Sequence, residues 1–209
     1  MRAGAALPPL LVVTDRHGAA RPLIETVRAA VAGGARFVWL RDRDLDRDAR
    51  RDLARDLIAL LRPLDGTLVV GGDIELALET GARGVHLSGS AGRTGIRSAR
   101  EKLGPAALIG ISAHSIPEIE TAAEAGADYA TLSPVFPSAS KPGYGPALGP
   151  EVFRAVARSG LPVFALGGIE PEHARACREA GAAGVAVMGG LMRAADPRSE
   201  TLRYLAARV

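Results

Sequence analysis

The chain has 209 residues, of which 47% are hydrophobic and 23% charged, a balance that suits one globular domain with a substantial core. Its 26 basic and 23 acidic residues give a net charge of only +3 and its aromatic content is 4%, which argues against a nucleic-acid-binding protein. A single cysteine excludes an internal disulfide framework, and neither a signal pattern nor the ~20 apolar residues of a membrane span is present, so we expect a soluble, cytoplasmic protein.

The sequence contains an internal repeat that marks out its elements. Four segments begin with Gly-Ala and run directly into a short apolar stretch, at Gly34, Gly81, Gly126 and Gly181, with spacings of 47, 45 and 55 residues. An alanine-rich or amphipathic run precedes each glycine, which is typical of the left-handed residue that ends a helix. Each repeat therefore predicts a helix followed by a strand.

A second strand is expected inside each period, because one strand–helix unit of a small barrel occupies only about 25 residues. Apolar stretches at residues 10–14, 67–71, 107–112 and 161–166 supply these strands. The eight predicted strands then lie, in chain order, near residues 10, 36, 67, 84, 107, 128, 162 and 184. Among the helices between them, the segment 46–61 has an apolar face formed by Leu53, Leu57, Leu60 and Leu61.

Eight strands that alternate with helices predict an α/β fold with a parallel sheet covered by helices. The regular two-unit period favours a closed barrel over an open doubly wound sheet, and no Gly-x-Gly-x-x-Gly fingerprint follows the first strand. We therefore predict a single (β/α)8 TIM barrel domain spanning residues 1–209.

The turns after the last two predicted strands carry paired glycines. Gly167 and Gly168 follow the seventh strand, and Met188, Gly189 and Gly190 follow the eighth. Glycine permits close approach of the backbone to phosphate oxygens, and amides at a helix start attract an anion. A tight turn alone also explains a Gly-Gly pair, but two such turns where this fold commonly holds phosphate favour a phosphate site.

Three cations lie at the same predicted face. Arg41 and Arg43 follow the second strand and share one side with Trp39, while Lys141 lies in the long loop after the sixth strand. These groups predict an anion or diphosphate subsite. In a chain with 24 arginines, incidental surface positions are the alternative for Arg41 and Arg43.

His114 is the candidate acid or base. It follows the fifth strand and shares a side with Ser112, which we assign to the pocket. Histidine titrates at about pH 6.5, which suits proton transfer. His86 lies within the fourth strand and is expected to be a hydrogen-bonded barrel residue, and Cys177 is expected to be a packed thiol on a helix.

Several motifs together resemble the thiamine phosphate synthase/TenI superfamily. They include IGIS at 109–112, SPVFPSASK at 133–141, ALGGI at 165–169 and GVAVM at 184–188, and the segments 13–16 and 39–43 also fit, so the resemblance covers nearly the whole chain. The resemblance implies that Arg41, Arg43 and Lys141 meet a pyrimidine diphosphate. It also implies that Ser138, Ser140 and the glycine turns hold the phosphate of a thiazole ligand.

The chain departs from the synthase pattern at three places. The family has Asn-Asp where this chain has Gly71-Gly72, a Gln-x-Asp sequence where it has residues 88–91, Ser-Gly-Ser-Ala, and a glutamine where it has Trp39. The missing aspartates are the family's magnesium ligands, and a hard divalent cation needs anionic oxygen. Asp73 takes their place only if the turn shifts its register.

These departures favour the TenI branch, whose members tautomerise a thiazole carboxylate phosphate by proton transfer. Our preferred hypothesis is therefore an isomerase with His114 as acid and base, no metal and no cofactor. The alternatives are a thiamine phosphate synthase, a transferase that would need magnesium, and a non-catalytic barrel that binds a phosphorylated ligand. The expected partner is a small thiazole phosphate, without nucleic acid or membrane, and family members often pair as homodimers.

Overall fold

Eight short parallel strands pair in chain order and close into a barrel, since the first strand pairs with both the second and the eighth. The computed structural model describes residues 7–137 and 146–206. The strands are β1 (Leu10–Val13), β2 (Phe37–Leu40), β3 (Thr67–Gly71), β4 (Gly84–Leu87), β5 (Leu108–Ala113), β6 (Tyr129–Leu132), β7 (Val163–Leu166) and β8 (Gly184–Val187). The predicted fold and its eight strands are confirmed, and the four strands predicted with explicit bounds end within two residues of the observed positions.

Helices cover the outside of the barrel. They are α1 (Leu23–Ala32), α2 (Arg47–Leu61), α3 (Ile74–Thr80), α4 (Gly92–Leu103), α5 (Ile116–Ala125), α6 (Val152–Val156), α7 (Pro171–Glu179), α8 (Gly189–Met192) and α9 (Pro197–Ala206). Within the two described ranges, no helix has both the length and the hydropathy that crossing a membrane requires.

The glycines of the internal repeat adopt the backbone conformation expected at helix ends. Gly34, Gly81, Gly126 and Gly181 have φ angles of 107°, 71°, 87° and 109°. Side chains other than glycine rarely adopt positive φ. The repeat therefore records four helix-to-strand turns.

Helix α2 illustrates how the sequence produces the outer layer. Asp46 caps its amino terminus by accepting a hydrogen bond from the Ala49 amide at 2.9 Å. Of the predicted apolar face, Leu57 and Leu61 are buried, and the other two leucines are partly buried against the same core. The helix thus packs its apolar face on the sheet and leaves its charged face in solvent.

The interior of the barrel is filled by side chains. Phe37, Tyr129 and Phe164 meet edge to face, with ring centroids 5.3 to 5.9 Å apart. They belong to a buried cluster that also contains Leu11, Val13, Trp39, Val69 and Ala186. Because this packing closes the barrel axis, a ligand has room only above the cluster, at the carboxyl ends of the strands.

Candidate active site

A cavity of about 760 Å³ lies at the carboxyl ends of the strands. Its volume suits a small organic ligand. The cavity brings together many of the residues predicted from sequence, namely Trp39, Arg41, His114, Gly167, Gly168, Met188, Gly189 and Gly190. Ser112 instead lines a smaller cavity of about 180 Å³. The Arg43 side chain packs against Gly72 in the turn after β3. Ser138, Ser140 and Lys141 fall outside the described residues.

The turn after β7 is held by backbone contacts with the segment after β6. The Phe136 amide donates to the Gly167 carbonyl at 3.0 Å. Gly168 has a φ of 63°, and a Cβ there would lie 2.7 Å from the Phe136 carbonyl oxygen and closer still to that of Pro137. Glycine is therefore required at position 168 by the backbone itself, whatever ligand the turn binds.

The turn after β8 leads directly into the short helix α8. The Arg193 guanidinium lies against Gly189, where an added Cβ would meet it, and both residues line the cavity. Sequence reasoning missed this cation. A single arginine one turn after the glycine pair was its only signal, and such a signal does not stand out in an arginine-rich chain.

Two further contacts support this side of the cavity. The buried Tyr204 hydroxyl donates to the Ile169 carbonyl at 2.9 Å, and burial raises the pKa of that phenol. The Phe136 ring stacks on His173 with centroids 4.0 Å apart. Together they tie α9 and α7 to the loops that border the site.

His114 follows β5 and lines the cavity. Its Nδ1 lies 2.8 Å from the Ser133 carbonyl oxygen, and its backbone amide donates to Glu118 Oε2 at 2.7 Å. A carbonyl oxygen only accepts, so Nδ1 carries the hydrogen of this bond. In the neutral ring, Nε2 is then the basic nitrogen.

His86 is a barrel residue, as predicted. It is fully buried between Tyr129, whose hydroxyl lies 2.9 Å from Nδ1, and Ser112, whose Oγ lies 3.1 Å from Nε2. Burial, assisted by the charge of Arg43, lowers its pKa to about 3. His86 is therefore neutral near pH 7, and Ser112 serves to position it.

Trp39 forms part of the cavity floor. Its indole stacks on the His86 ring with centroids 3.7 Å apart, and only 4% of the residue is exposed. Among the described residues, its Nε1 has no hydrogen-bond partner. A Cβ at Gly71 would lie 2.9 Å from this nitrogen, so the indole fits only because residue 71 lacks a side chain.

A buried carboxylate that sequence reasoning did not single out connects the loops after β1 and β2. Asp42 accepts from the Thr14 hydroxyl at 2.5 Å and from the Arg16 amide at 2.7 Å. The Thr14 hydroxyl oxygen in turn accepts from the Arg41 amide at 2.9 Å. This network holds the Arg41 backbone and the Asp42 side chain, which lies between Arg41 and Arg43 in the sequence.

Arg43, from the loop after β2, packs against the turn after β3. Gly72 has a φ of 67°, and a Cβ there would lie 3.1 Å from Arg43 Nη2 and 3.2 Å from Cζ. The guanidinium thus packs on Gly72 as the indole packs on Gly71. Each glycine thus leaves room for one side chain of the β2 segment, Gly71 for Trp39 and Gly72 for Arg43.

The carboxylates and hydroxyls near this turn do not fit a magnesium site. Asp73 caps α3 by accepting from the Leu76 amide at 2.9 Å, and its other oxygen lies 3.4 Å from Arg50 Nη1. After β4, the Ser88 and Ser90 hydroxyls lie 2.9 Å apart and bond to each other. Across the described ranges, no group of three or more His, Cys, Asp or Glu side chains is placed to hold a metal ion.

The cysteine is buried on α7, as expected. Burial raises the pKa of the Cys177 thiol to about 11, so it stays protonated near neutral pH. It takes no part in the candidate site.

Comparisons with known proteins identify relatives of this chain. The thiamine-phosphate synthase of Marinobacter nauticus is 42% identical over 186 residues, covering 88% of this chain and 82% of the relative. That of Roseiflexus castenholzii is 37% identical and covers 91% and 83%. A solved thiamine phosphate pyrophosphorylase from Pyrococcus furiosus superposes with a TM-score of 0.84 at 32% identity, covering 95% of this chain and 94% of that one.

The sequence model of a protein family matches residues 10–191, nearly the whole barrel. The family is described as thiamine monophosphate synthase, TMP-TENI. With its barrel, its cavity at the carboxyl ends of the strands and these relatives, the chain belongs to the thiamine monophosphate synthase (TMP-TENI) family.

Proposed function

We propose that this protein is a thiamine-phosphate synthase, a transferase that joins a pyrimidine diphosphate to a thiazole phosphate. The observation that carries the proposal is one cavity lined by two groups that can bind anions. Arg41 follows β2, whereas the glycine turns and Arg193 follow β7 and β8. Two phosphorylated substrates need two such groups, whereas the tautomerase substrate carries one phosphate. Relatives that bear the synthase name support the same choice.

In this reaction the ring nitrogen of the thiazole attacks the carbon that bears the diphosphate. The new C–N bond forms as the C–O bond breaks, and pyrophosphate leaves with the electron pair. Negative charge therefore grows on the leaving group, where Arg41 and Arg43 would stabilise it. The amides of Gly168 and Gly189 would hold the thiazole phosphate in line for attack.

No proton moves in this bond exchange, so the proposal assigns His114 to the cavity wall. Its contact with the Ser133 carbonyl orients the ring and holds the loops after β5 and β6 together. The wall would then exclude water from the reacting carbon.

The tautomerase is a second candidate because His114 lines the cavity and, among the described residues, no group of three or more His, Cys, Asp or Glu side chains is placed to hold a metal ion. The names of the relatives do not support it. It would use His114 to remove one proton and return another, with no need for Arg41 or Arg43.

One experiment separates the two functions. The full chain is incubated with both synthase substrates, with and without magnesium, and thiamine phosphate is quantified by chromatography. We expect product from the wild type, and we expect His114→Gln to retain at least about a tenth of the rate, since a general acid or base contributes about 10²- to 10⁴-fold.

The contrary result is equally clear. If no thiamine phosphate forms, while a thiazole carboxylate phosphate is aromatised by the wild type and not by His114→Gln, the protein is a tautomerase. The control variant Arg83→Gln, at the opposite end of β4, should match the wild type in both assays.

A further inference from the structure

The Arg43 side chain, from the loop after β2, packs against the turn after β3. The family resemblance would place a metal-binding carboxylate in this turn. Arg43 packs its guanidinium on Gly72, and the left-handed φ of 67° disfavours any side chain at that position. An aspartate there would direct its carboxylate at the guanidinium. The turn is thus shaped for Arg43 and against a metal ligand.

The neighbouring carboxylates are already bound within the protein. Asp42 is taken by the Thr14 hydroxyl and the Arg16 amide, and Asp73 by the Leu76 amide and Arg50. Arg50 is itself buried, and its Nη2 donates to the Gly71 carbonyl at 2.7 Å. Among the described residues, the two carboxylates next to this turn, Asp42 and Asp73, are therefore already engaged by donors of the protein itself.

The two cations of the β2 segment remain available to a ligand. Within residues 7–137 and 146–206, neither the Arg41 nor the Arg43 guanidinium has a hydrogen-bond or ion-pair partner. The charge of Arg43 also reaches the barrel interior, where it contributes to the lowered pKa of His86. Both guanidinium groups can therefore pair with an anionic ligand.

We propose that this part of the face is a metal-independent pyrophosphate subsite, in which the Arg43 guanidinium takes the place of the magnesium ion. A guanidinium offers a planar fork of donors that pairs with two phosphate oxygens, and Arg41 supplies a second charge. The identity of the anion as pyrophosphate rests on the proposed synthase function. The absence of a metal requirement rests only on the donors at the turn.

Binding of inorganic pyrophosphate tests the subsite without turnover. Trp39 is the only tryptophan of the chain and lines the cavity with Arg41, so its fluorescence reports on this region. Pyrophosphate is titrated into the full chain in buffer that contains EDTA and no divalent cation. We expect saturable quenching or enhancement, and an affinity at least about tenfold lower in Arg43→Gln, because a charge-assisted hydrogen bond is lost.

Two further arms complete the test. Arg83→Gln, an exposed arginine at the other end of the barrel, should bind pyrophosphate as the wild type does. Adding magnesium should leave the affinity within about twofold, or lower it by binding free pyrophosphate. Circular dichroism and thermal melts show whether each variant is folded, and a weaker affinity counts only for a folded variant. If Arg43→Gln does not fold, Arg43→Lys, which keeps the charge and loses the fork, replaces it, with a smaller loss of affinity expected.

Three results would overturn the proposal. They are an absence of binding in EDTA, a gain of tenfold or more on adding magnesium, and unchanged binding in Arg43→Gln. These results differ from a failure of the synthase assay, because a protein that makes no thiamine phosphate can still bind pyrophosphate without a metal.

Discussion

The two halves of the catalytic face are built by different means. In the half that follows β6, β7 and β8, backbone packs on backbone, as where Gly168 approaches the carbonyl oxygens of Phe136 and Pro137. In the half that follows β2, β3 and β4, charged side chains determine the arrangement, as in the pairs Thr14–Asp42 and Arg50–Asp73. The three departures that the family resemblance indicates in the sequence lie in the second half, where side chains make the contacts.

This contrast predicts that the glycine turns after β7 and β8 will respond differently to substitution from the half that follows β2, β3 and β4. A backbone contact leaves no room for an extra atom, so its failure is structural. When one member of a side-chain pair loses its charge, the barrel can remain folded. The following predictions test that distinction, from the largest expected effect to the smallest.

Gly168→Ala should be the most damaging change. Its Cβ would collide with two carbonyl oxygens in a left-handed conformation, so the β7 turn and the segment after β6 must separate. We expect a loss of about 3 kcal/mol or more in the free energy of unfolding, measured by urea denaturation, together with lost activity.

Gly81→Ala is the matched control for this change. Gly81 has a similar φ of 71°, but apart from its own neighbours along the chain no heavy atom of the described residues lies within 4 Å of the added Cβ. It should cost only the conformational strain of about 1 kcal/mol. Equal losses in the two variants would show that backbone conformation, rather than close packing, makes Gly168 necessary.

His86 should make the barrel sensitive to acid. Its folded pKa of about 3 lies below the ordinary value of 6.5, because burial disfavours the charged ring. Between these values the unfolded chain binds a proton that the folded chain does not, so stability is complete above about pH 6.5 and falls as the pH drops toward 3. The contribution is at most about 1.4 kcal/mol per pH unit.

Urea denaturation at several pH values between 4.5 and 6.5 tests this dependence. In His86→Gln, the free energy of unfolding should depend less steeply on pH, by the equivalent of about one proton taken up on unfolding, whatever the effect of the substitution on stability near pH 7. Tyr129→Phe removes the 2.9 Å partner but keeps the titrating ring, so its slope should stay close to that of the wild type. Parallel slopes in wild type and His86→Gln would contradict the assignment of a neutral His86.

Asp42→Asn should weaken the β2–β4 half without unfolding the barrel. The carboxylate accepts hydrogen bonds from the Thr14 hydroxyl and the Arg16 amide. In the asparagine variant, the side-chain NH2 group would face one of these two donors, and that hydrogen bond would be lost. We expect a loss of about 1–3 kcal/mol in the free energy of unfolding, and weaker pyrophosphate binding as the Arg41 and Arg43 backbone loosens.

Asp44→Asn gives the comparison on the same loop. Asp44 is exposed, and its partners Arg16 and His17 lie at the surface. Its loss should have a much smaller effect on unfolding. If both variants lose the same stability, the buried network does not fix the loop.

The fold could be predicted from the sequence because its signals are local. Positive φ at Gly34, Gly81, Gly126 and Gly181 and the eight apolar stretches follow directly from residue type and spacing. Paired glycines after β7 and β8 were placed at the cavity for the same reason. These features depend on neighbours along the chain, which a single sequence displays.

The rest of the site depends on partners distant in sequence. Asp42 meets Thr14 across 28 residues, and Gly72 leaves room for a guanidinium of another loop. In the sequence, Gly71 and Gly72 show only that carboxylates are missing, which favoured an isomerase. The structure shows what occupies the space, and the relatives carry the synthase name.

Ser90→Ala should have the smallest effect, and it tests the comparison from the other side. Ser90 is exposed and, among the described residues, its hydroxyl bonds only to that of Ser88, so the free energy of unfolding should change by less than about 0.5 kcal/mol. Pyrophosphate affinity in EDTA and the effect of magnesium should both match the wild type, since we assign no ligand role to this turn. A tenfold loss of affinity, or a magnesium response that disappears in the variant, would show that the β4 turn helps to bind a metal. Hydroxyl oxygens of the β2–β4 half would then bind the metal, in place of the aspartates that the family resemblance implies.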